Sequence, residues 1–349
     1  MLTTNEPASD EYKRTPGPYH VAQVLYDWHD DQRDRAVPVK IYYPGLEQPT
    51  TGPGPAAESA AQTGAPATRP QVPAPQAFPV IIFSHGLGGS REGYAYLGRH
   101  WASHGYITVH VQHVGSDESV WKGHTGRSAR MRQAAADPQN ALNRPADIHF
   151  VLDRLERLQH EEGPLAGRLD LARIGIAGHS FGAFTTLAIA GQAFVTPTGR
   201  LATAEDWRVK AAIAMSPNVP RRRDRLDDIY ANIRIPILHM TGTRDDSPVS
   251  ETRAAERRVA FDHIRNADQY LVIFKNGDHM VYTGRKRLRG EETHRDARFL
   301  DLIRMSTTAF WDAYLKKDPA AQAWLAEGHF EKRMGADGIF EKKAAAPDN

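Results

Sequence analysis

The stretch RIGIAGHSFGAFTTLAIAG, residues 173–191, decides how the rest of the chain is read. An apolar run ends at a glycine, one serine follows among small residues, and an apolar helix-like run resumes. Strand, G-H-S-F-G, helix is the context that a G-x-S-x-G nucleophile elbow requires. A non-glycine residue at so sharp a corner takes a strained backbone conformation. Gly178 and Gly182, two residues to either side of Ser180, leave room for it, and Ala183 is small. The Ser180 hydroxyl is then displayed above the sheet. The amide of Phe181 falls in the first helical turn, where N–H groups lack helical partners and the dipole is positive, so it is the expected first donor of an oxyanion hole. The plainer reading is a tight strand-to-helix turn without chemistry.

A serine hydroxyl needs a base, and the base needs an acid to orient it. With this elbow the chain order is Ser, then Asp or Glu, then His. Two later strands end in the right residues: IPILHMTG (235–242) runs into TRDDSPVSE, and QYLVIF (269–274) runs into KNGDHMVY. His279 is the expected base and Asp245 the expected acid. Asp246 is the rival. Ser247-Pro248 reads as a helix N-cap followed by proline at the first helical position, which ties Asp246 to a helix entrance and leaves Asp245 above the sheet. The strand ending AIAMSPNVP carries no carboxylate there. The second oxyanion donor is expected from FSHGLGGSREG, where glycines at 86, 88 and 89 let backbone approach a ligand; the N–H of Leu87 is assigned that role. A phosphate loop is excluded by the missing G-x-x-x-x-G-K-[ST] pattern.

Composition narrows the classes further. With 44 basic against 42 acidic residues in 349, the net charge of +2 gives no electrostatic case for nucleic acid or an anionic membrane. There is no cysteine, so thiolate catalysis, disulfides and zinc–thiolate sites are excluded. No stretch is apolar for long enough to span a bilayer. The polar opening MLTTNEPASDEYKRTPGPYH lacks the apolar core of a secretory signal, so the chain as written reads as cytoplasmic, or as secreted if a leader has been removed.

Residues 1–18 are expected to form an N-terminal arm. HVAQVLYDWHDD and RAVPVKIYYP alternate like an antiparallel strand pair. Residues 45–77 form a Pro/Ala-rich loop inside one domain. From FPVIIFSHG onward strands alternate with helices, including an amphipathic helix RPADIHFVLDRLERL begun by Pro145. That pattern implies an α/β fold: a mostly parallel sheet of about eight strands covered by helices on both faces. The single domain is expected to span 19–334, with a frayed tail at 335–349.

On these residues the chain resembles the α/β-hydrolase superfamily, over about 19–320. FSHGLGGSRE, ASHGYITVHVQH and GHSFGA resemble the platelet-activating factor acetylhydrolase and dienelactone hydrolase-like branch. The resemblance implies a serine ester hydrolase working through an acyl-enzyme, with Leu87 and Phe181 as oxyanion donors. It departs at one point: the acetylhydrolase places its acid after the sixth strand, where this chain has Ser216-Pro217. Asp245, after the seventh strand, follows the commoner superfamily pattern. Serine replaces the cysteine of true dienelactone hydrolases.

No metal or cofactor is expected, and the partner is a small-molecule or polymeric ester. Residues 114–142 lie on the catalytic edge as a cap or pocket segment, in which Trp121 and the arginines at 127, 130 and 132 line the site or belong to a solvated helix. His110 and His113, near a strand end, are expected to line the pocket, while His179 points away from Ser180. The runs RRRDR (221–225) and GRKRLRG (284–290) read as solvated, or the second, close after His279, as an attractor of acidic substrates. Two alternatives stay open: polyester or amide cleavage by the same residues, and a non-catalytic binding scaffold of the same fold.

Overall fold

In the computed structural model, which describes residues 11–45, 76–196, 198–284 and 291–346, the segment Phe78–Ser84 is buried at every position. Its side chains alternate between two layers. Val80 and Ile82 join one apolar cluster, and Ile81 and Phe83 join the other. A strand covered on both faces must be apolar without interruption, and each such side chain contributes roughly 1.5–3 kcal/mol on burial.

In chain order the strands of the main sheet are β1 (Val21–Asp30), β2 (Arg35–Pro44), β3 (Phe78–Ser84), β4 (Ile107–Val111), β5 (Leu169–His179), β6 (Val209–Met215), β7 (Ile237–Arg244), β8 (Gln269–Asp278) and β9 (Gly338–Lys343). They lie in the order β1-β2-β4-β3-β5-β6-β7-β8-β9. β1 pairs antiparallel with β2, and β2 antiparallel with β4. From β4 to β8 every pairing is parallel, so those strands end on one edge.

The helices are α1 (Ala95–Ser103), α2 (Arg127–Ala136), α3 (Pro138–Leu158), α4 (Phe181–Ile189), α5 (Leu226–Tyr230), α6 (Val259–His263), α7 (Glu291–Tyr314), α8 (Pro319–Ala326) and α9 (His329–Met334). α3 and α4 cover one face through Ile148, Leu152, Leu155 and Leu187. α1, α7 and α8 cover the other through Trp101, Trp311 and Trp324. The expected α/β architecture with helices on both faces is present, with nine strands in place of about eight. No helix among the described residues is long and apolar enough to cross a membrane.

Three local expectations change. α3 begins at Pro138 behind an Asp137 cap and not at Pro145: the Asp137 carboxylate accepts from Gln139 N at 2.9 Å, and Pro145 sits inside the helix. Residues 338–343, expected in a frayed tail, form edge strand β9 antiparallel to β8. Phe340 stacks on Tyr270 at 5.8 Å and meets Phe330 edge-on at 4.9 Å, which fixes the strand. Part of the expected arm is also docked: Tyr12 Oη and Lys13 Nζ donate to the buried Asp312 at 2.9 and 2.5 Å. Most of the Pro/Ala-rich loop, residues 46–75, lies outside the described residues, as do 285–290 of the GRKRLRG run. The RRRDR run is engaged in local ion pairs, Arg222 with Asp224 and Arg225 with Asp228.

Candidate active site

Ser180 stands alone between β5 and α4 at φ 58° and ψ −115°, a strained left-handed conformation for a residue with a side chain. Its amide donates to Met215 O on β6 at 2.8 Å, which anchors the corner to the sheet. The flanking glycines are steric requirements. A Cβ on Gly178 would run into the Gly182 backbone, and one on Gly182 into the Ser84 carbonyl.

The edge of the sheet brings three residues together. Ser180 Oγ lies 2.9 Å from His279 Nε2, and His279 Nδ1 lies 2.7 Å from Asp245 Oδ1. β8 reaches this position by a register slip between Phe274 and Asp278 against β7, with Asn276 at φ 60°. The slip carries His279 over the end of β5. Ser180 and His279 are 7% and 8% exposed, so both side chains are largely withdrawn from solvent.

Asp245 is fully buried and accepts on both oxygens. Oδ2 takes Ser216 Oγ at 2.5 Å and Thr241 Oγ1 at 2.9 Å. Oδ1 takes His279 and, at 3.0 Å, Nε of the buried Arg257. Asp246 points elsewhere: it is exposed, and its Oδ1 accepts from Ala254 N at 2.9 Å at the start of the short helix Ala254–Arg258. No helix begins at Pro248; Ser247 Oγ instead accepts from Ser250 N at 3.0 Å in a turn. The helix entrance that takes up Asp246 therefore lies later in the chain than the Ser-Pro pair suggests.

Leu87 sits in the loop after β3, pressed against the elbow. A Cβ placed on the adjacent Gly86 would lie 3.4 Å from Ser180 Cβ. Phe181 opens α4, so its amide is among those no helical carbonyl takes up. The loop is clamped by the segment that follows β4. Gly88 N donates to Ser116 O at 2.8 Å, and Trp121 Nε1 donates to Gly88 O at 2.8 Å. Gly88 sits at φ 70°, a conformation that residues with a Cβ rarely adopt, and a Cβ there would press on the end of Met131. Trp121 is thus partly buried against the loop, with the Arg127 guanidinium 4.3 Å from its ring centroid.

A buried polar network underlies the same loop. The Arg144 guanidinium, fully buried, donates to Thr185 Oγ1, Ser116 Oγ, Ser84 Oγ and His85 O, and lies 4.6 Å from the Phe181 ring centroid. Burial pulls its pKa down to about 9. His113 is fully buried, with Nε2 2.9 Å from Ser84 Oγ and Nδ1 3.0 Å from Asp147 Oδ2. It therefore presents no surface to a substrate, and the expectation that it lines the pocket is corrected. His110 is likewise buried, stacked on Phe83. Burial drives His113 down to about 4, with the Arg144 cation adding to it. For Asp147, burial acts upward, but the bonds from His113 and Arg35 prevail and bring it to about 2.

His179 sits beneath the proposed base. Its ring packs 4.7 Å from the His279 ring, and Nδ1 is bonded to Tyr94 Oη at 2.7 Å. Burial, then the neighbouring His279 and Arg257, hold it well below the ordinary histidine range. Arg257, Arg144 and the Ser216 and Thr241 hydroxyls escape sequence reading. None sits in a motif, and only the strand-end position of Ser216 hinted at a role. Among the described residues no cluster of His, Asp or Glu is arranged to hold a metal ion.

Comparison with known proteins adds to this geometry. The sequence model of the family described as platelet-activating factor acetylhydrolase, isoform II, matches residues 58–139, which carry β3, the Leu87 loop and β4 but stop short of the elbow. The chain is 25% identical over 293 residues to the platelet-activating factor acetylhydrolase of Cavia porcellus, covering 73% of this chain and 62% of that protein. It is 27% identical over 205 residues to the Canis lupus familiaris protein of the same name and 28% over 203 residues to that of Bos taurus, each match covering 49% of this chain and 41% of the relative. The chain thus spans less than two thirds of the length of these relatives. By its sheet, its strand-end elbow and these matches, the chain has the α/β-hydrolase fold and resembles the platelet-activating factor acetylhydrolase branch of that superfamily.

Proposed function

We propose that the protein is a serine carboxylic-ester hydrolase acting through an acyl-enzyme on Ser180. The observation that carries this reading is the unbroken chain from Ser180 Oγ through His279 to Asp245, at 2.9 and 2.7 Å. Ser180 Oγ attacks the ester carbonyl carbon and its proton passes to His279 Nε2. Asp245 fixes the imidazole with Nδ1 protonated and stabilises the imidazolium. The N–H groups of Leu87 and Phe181 take the oxyanion; loss of one such donor costs roughly 3–4 kcal/mol in other enzymes. As the tetrahedral intermediate collapses, the C–O bond to the alcohol breaks and His279 returns the proton to that oxygen. Water, deprotonated by His279, then cleaves the acyl-enzyme and regenerates Ser180.

The relatives are named as platelet-activating factor acetylhydrolases, and the near-complete burial of Ser180 and His279 favours a small acyl group. A short-chain ester is therefore the proposed substrate class, with Trp121 at its rim. The test is hydrolysis of a p-nitrophenyl ester series from acetate to long-chain acyl, with the quenched enzyme examined by mass spectrometry. The reading predicts activity that falls with acyl length and an acylated peptide containing Ser180. A preference for long acyl chains would overturn the substrate class, and acylation elsewhere would overturn the nucleophile.

A further inference from the structure

The Arg257 guanidinium contacts both the acid and the base of the proposed catalytic set. It is 1% exposed. Nε lies 3.0 Å from Asp245 Oδ1 and donates to Asp245 O at 2.6 Å. One terminal nitrogen donates to Ser216 O at 2.7 Å, Pro217 O at 3.1 Å and Asn218 Oδ1 at 3.2 Å. The other lies 3.2 Å from His279 Nδ1, the nitrogen that faces Asp245. The side chain is thus tied to the ends of β6 and β7 and aimed at the imidazole.

We propose that Arg257 is a positioning residue that keeps the His279 imidazole neutral, and so able to act as a base, at lower pH than the Asp245 pair alone allows. The proposal rests on the serine hydrolase reading above. When Nδ1 carries its proton toward Asp245, the Arg257 N–H faces another N–H and no hydrogen bond joins them. A fixed cation at this distance disfavours a second positive charge on the ring. It also competes for Asp245 Oδ1, the oxygen that stabilises the imidazolium. An arginine is suited to this because its guanidinium stays charged when buried and its planar fork can hold several carbonyls at once.

The other groups around His279 do not duplicate the effect. Among the described residues these are Asp245 from the end of β7, His179 from β5, Tyr282 from the turn after β8, and Asp278 beside it in sequence. Asp278 Oδ1 is engaged by Met280 N at 2.9 Å, and Asp246 lies exposed beyond Arg257 with Arg253 3.6 Å away. His179 is held neutral by burial. Arg257 is therefore the fixed positive charge against the imidazole among the described residues.

The experiment is the rate at which a fluorophosphonate labels Ser180, measured from pH 5 to 9 in the full chain. Labelling forms the Ser180 O–P bond, expels fluoride and passes the serine proton to His279, so it reads the base without an ester substrate. Wild type is compared with Arg257→Met, Arg257→Gln and Arg257→Lys, each checked for folding by circular dichroism. The glutamine variant keeps an amide donor for the backbone carbonyls and is decisive if the methionine variant does not fold. The ratio of wild-type to uncharged-variant rate at pH 6 is expected to be about ten times its value at pH 9, the size of a one-unit displacement of the acid limb. Arg257→Lys, which keeps the charge, is expected to follow the wild-type profile in shape. A ratio that is the same at every pH, or a lysine variant that behaves like methionine, overturns the proposal while leaving the serine hydrolase reading intact. Absence of Ser180 labelling in wild type at every pH would instead overturn that reading.

Discussion

Asp245 and Asp246 are neighbours with different fates, and the difference is set by their partners. Asp245 is buried and accepts from His279, Arg257, Ser216 and Thr241, while Asp246 is exposed and caps a short helix. Asp245→Asn is expected to lower kcat for a short ester by roughly 10³–10⁴-fold, the scale found when a triad acid becomes an amide. Asp246→Asn is expected to stay within about threefold, because the side chain is exposed and the asparagine amide oxygen still accepts from Ala254 N. Parallel kinetics on the two variants check both. The Ser247-Pro248 pair points to a helix entrance that does not form there; a turn at Ser247 and the later helix Ala254–Arg258 separate the two carboxylates. A turn's length is set by bonds such as Ser250 N to Ser247 Oγ, which local residue preferences leave open.

At the scale of elements, the strand-to-helix alternation from β3 onward was legible because buried parallel strands leave continuous apolar runs. β9 was not: six residues, one stacked aromatic and a polar end give little periodicity, and its stability comes from Tyr270 and Phe330 far away in sequence. Truncation after Asp337 removes the Phe340 contacts and the Arg258–Glu341 pair, at a cost of about 2–3 kcal/mol. The shortened chain is expected to fold with Tm lowered by about 5 °C or more, checked by calorimetry. The segment after β4 holds the Leu87 loop through the Ser116 carbonyl and the Trp121 indole. Trp121→Phe keeps the packing but removes the bond to Gly88 O, and kcat is expected to fall about 2- to 10-fold with little change in KM. An unchanged kcat would show that the loop holds its shape without that bond.

The whole molecule carries an acid sensitivity that no single motif announces. His110, His113 and His239 are fully buried, and burial first of all brings each to about 4 from an ordinary value of 6.5. The unfolded chain therefore takes up protons at these positions as pH falls below about 6.5, while the folded chain takes up none until about 4. Stability is fully present above that window and is lost through it, with a slope of about 1.4 kcal/mol per pH unit for each histidine. Asp147, held at about 2, adds a loss only below the ordinary aspartate value. Urea unfolding at pH 7.5, 6, 5 and 4.5 is expected to show a steepening decline; a flat profile would mean that these rings gain protons without unfolding. The sequence displayed 16 histidines but not their burial, because burial depends on which strand ends and helices close over them.

Ser180, His279 and Asp245 act as one catalytic unit only if each is needed for turnover, which kcat/KM for p-nitrophenyl acetate decides in wild type, Ser180→Ala, His279→Ala, Asp245→Asn and Asp246→Asn. Wild type and Asp246→Asn are expected to hydrolyse the ester, and the other three to fall to near-background rates. A wild type no faster than Ser180→Ala, or an Asp246→Asn variant that loses activity while Asp245→Asn keeps it, would contradict it.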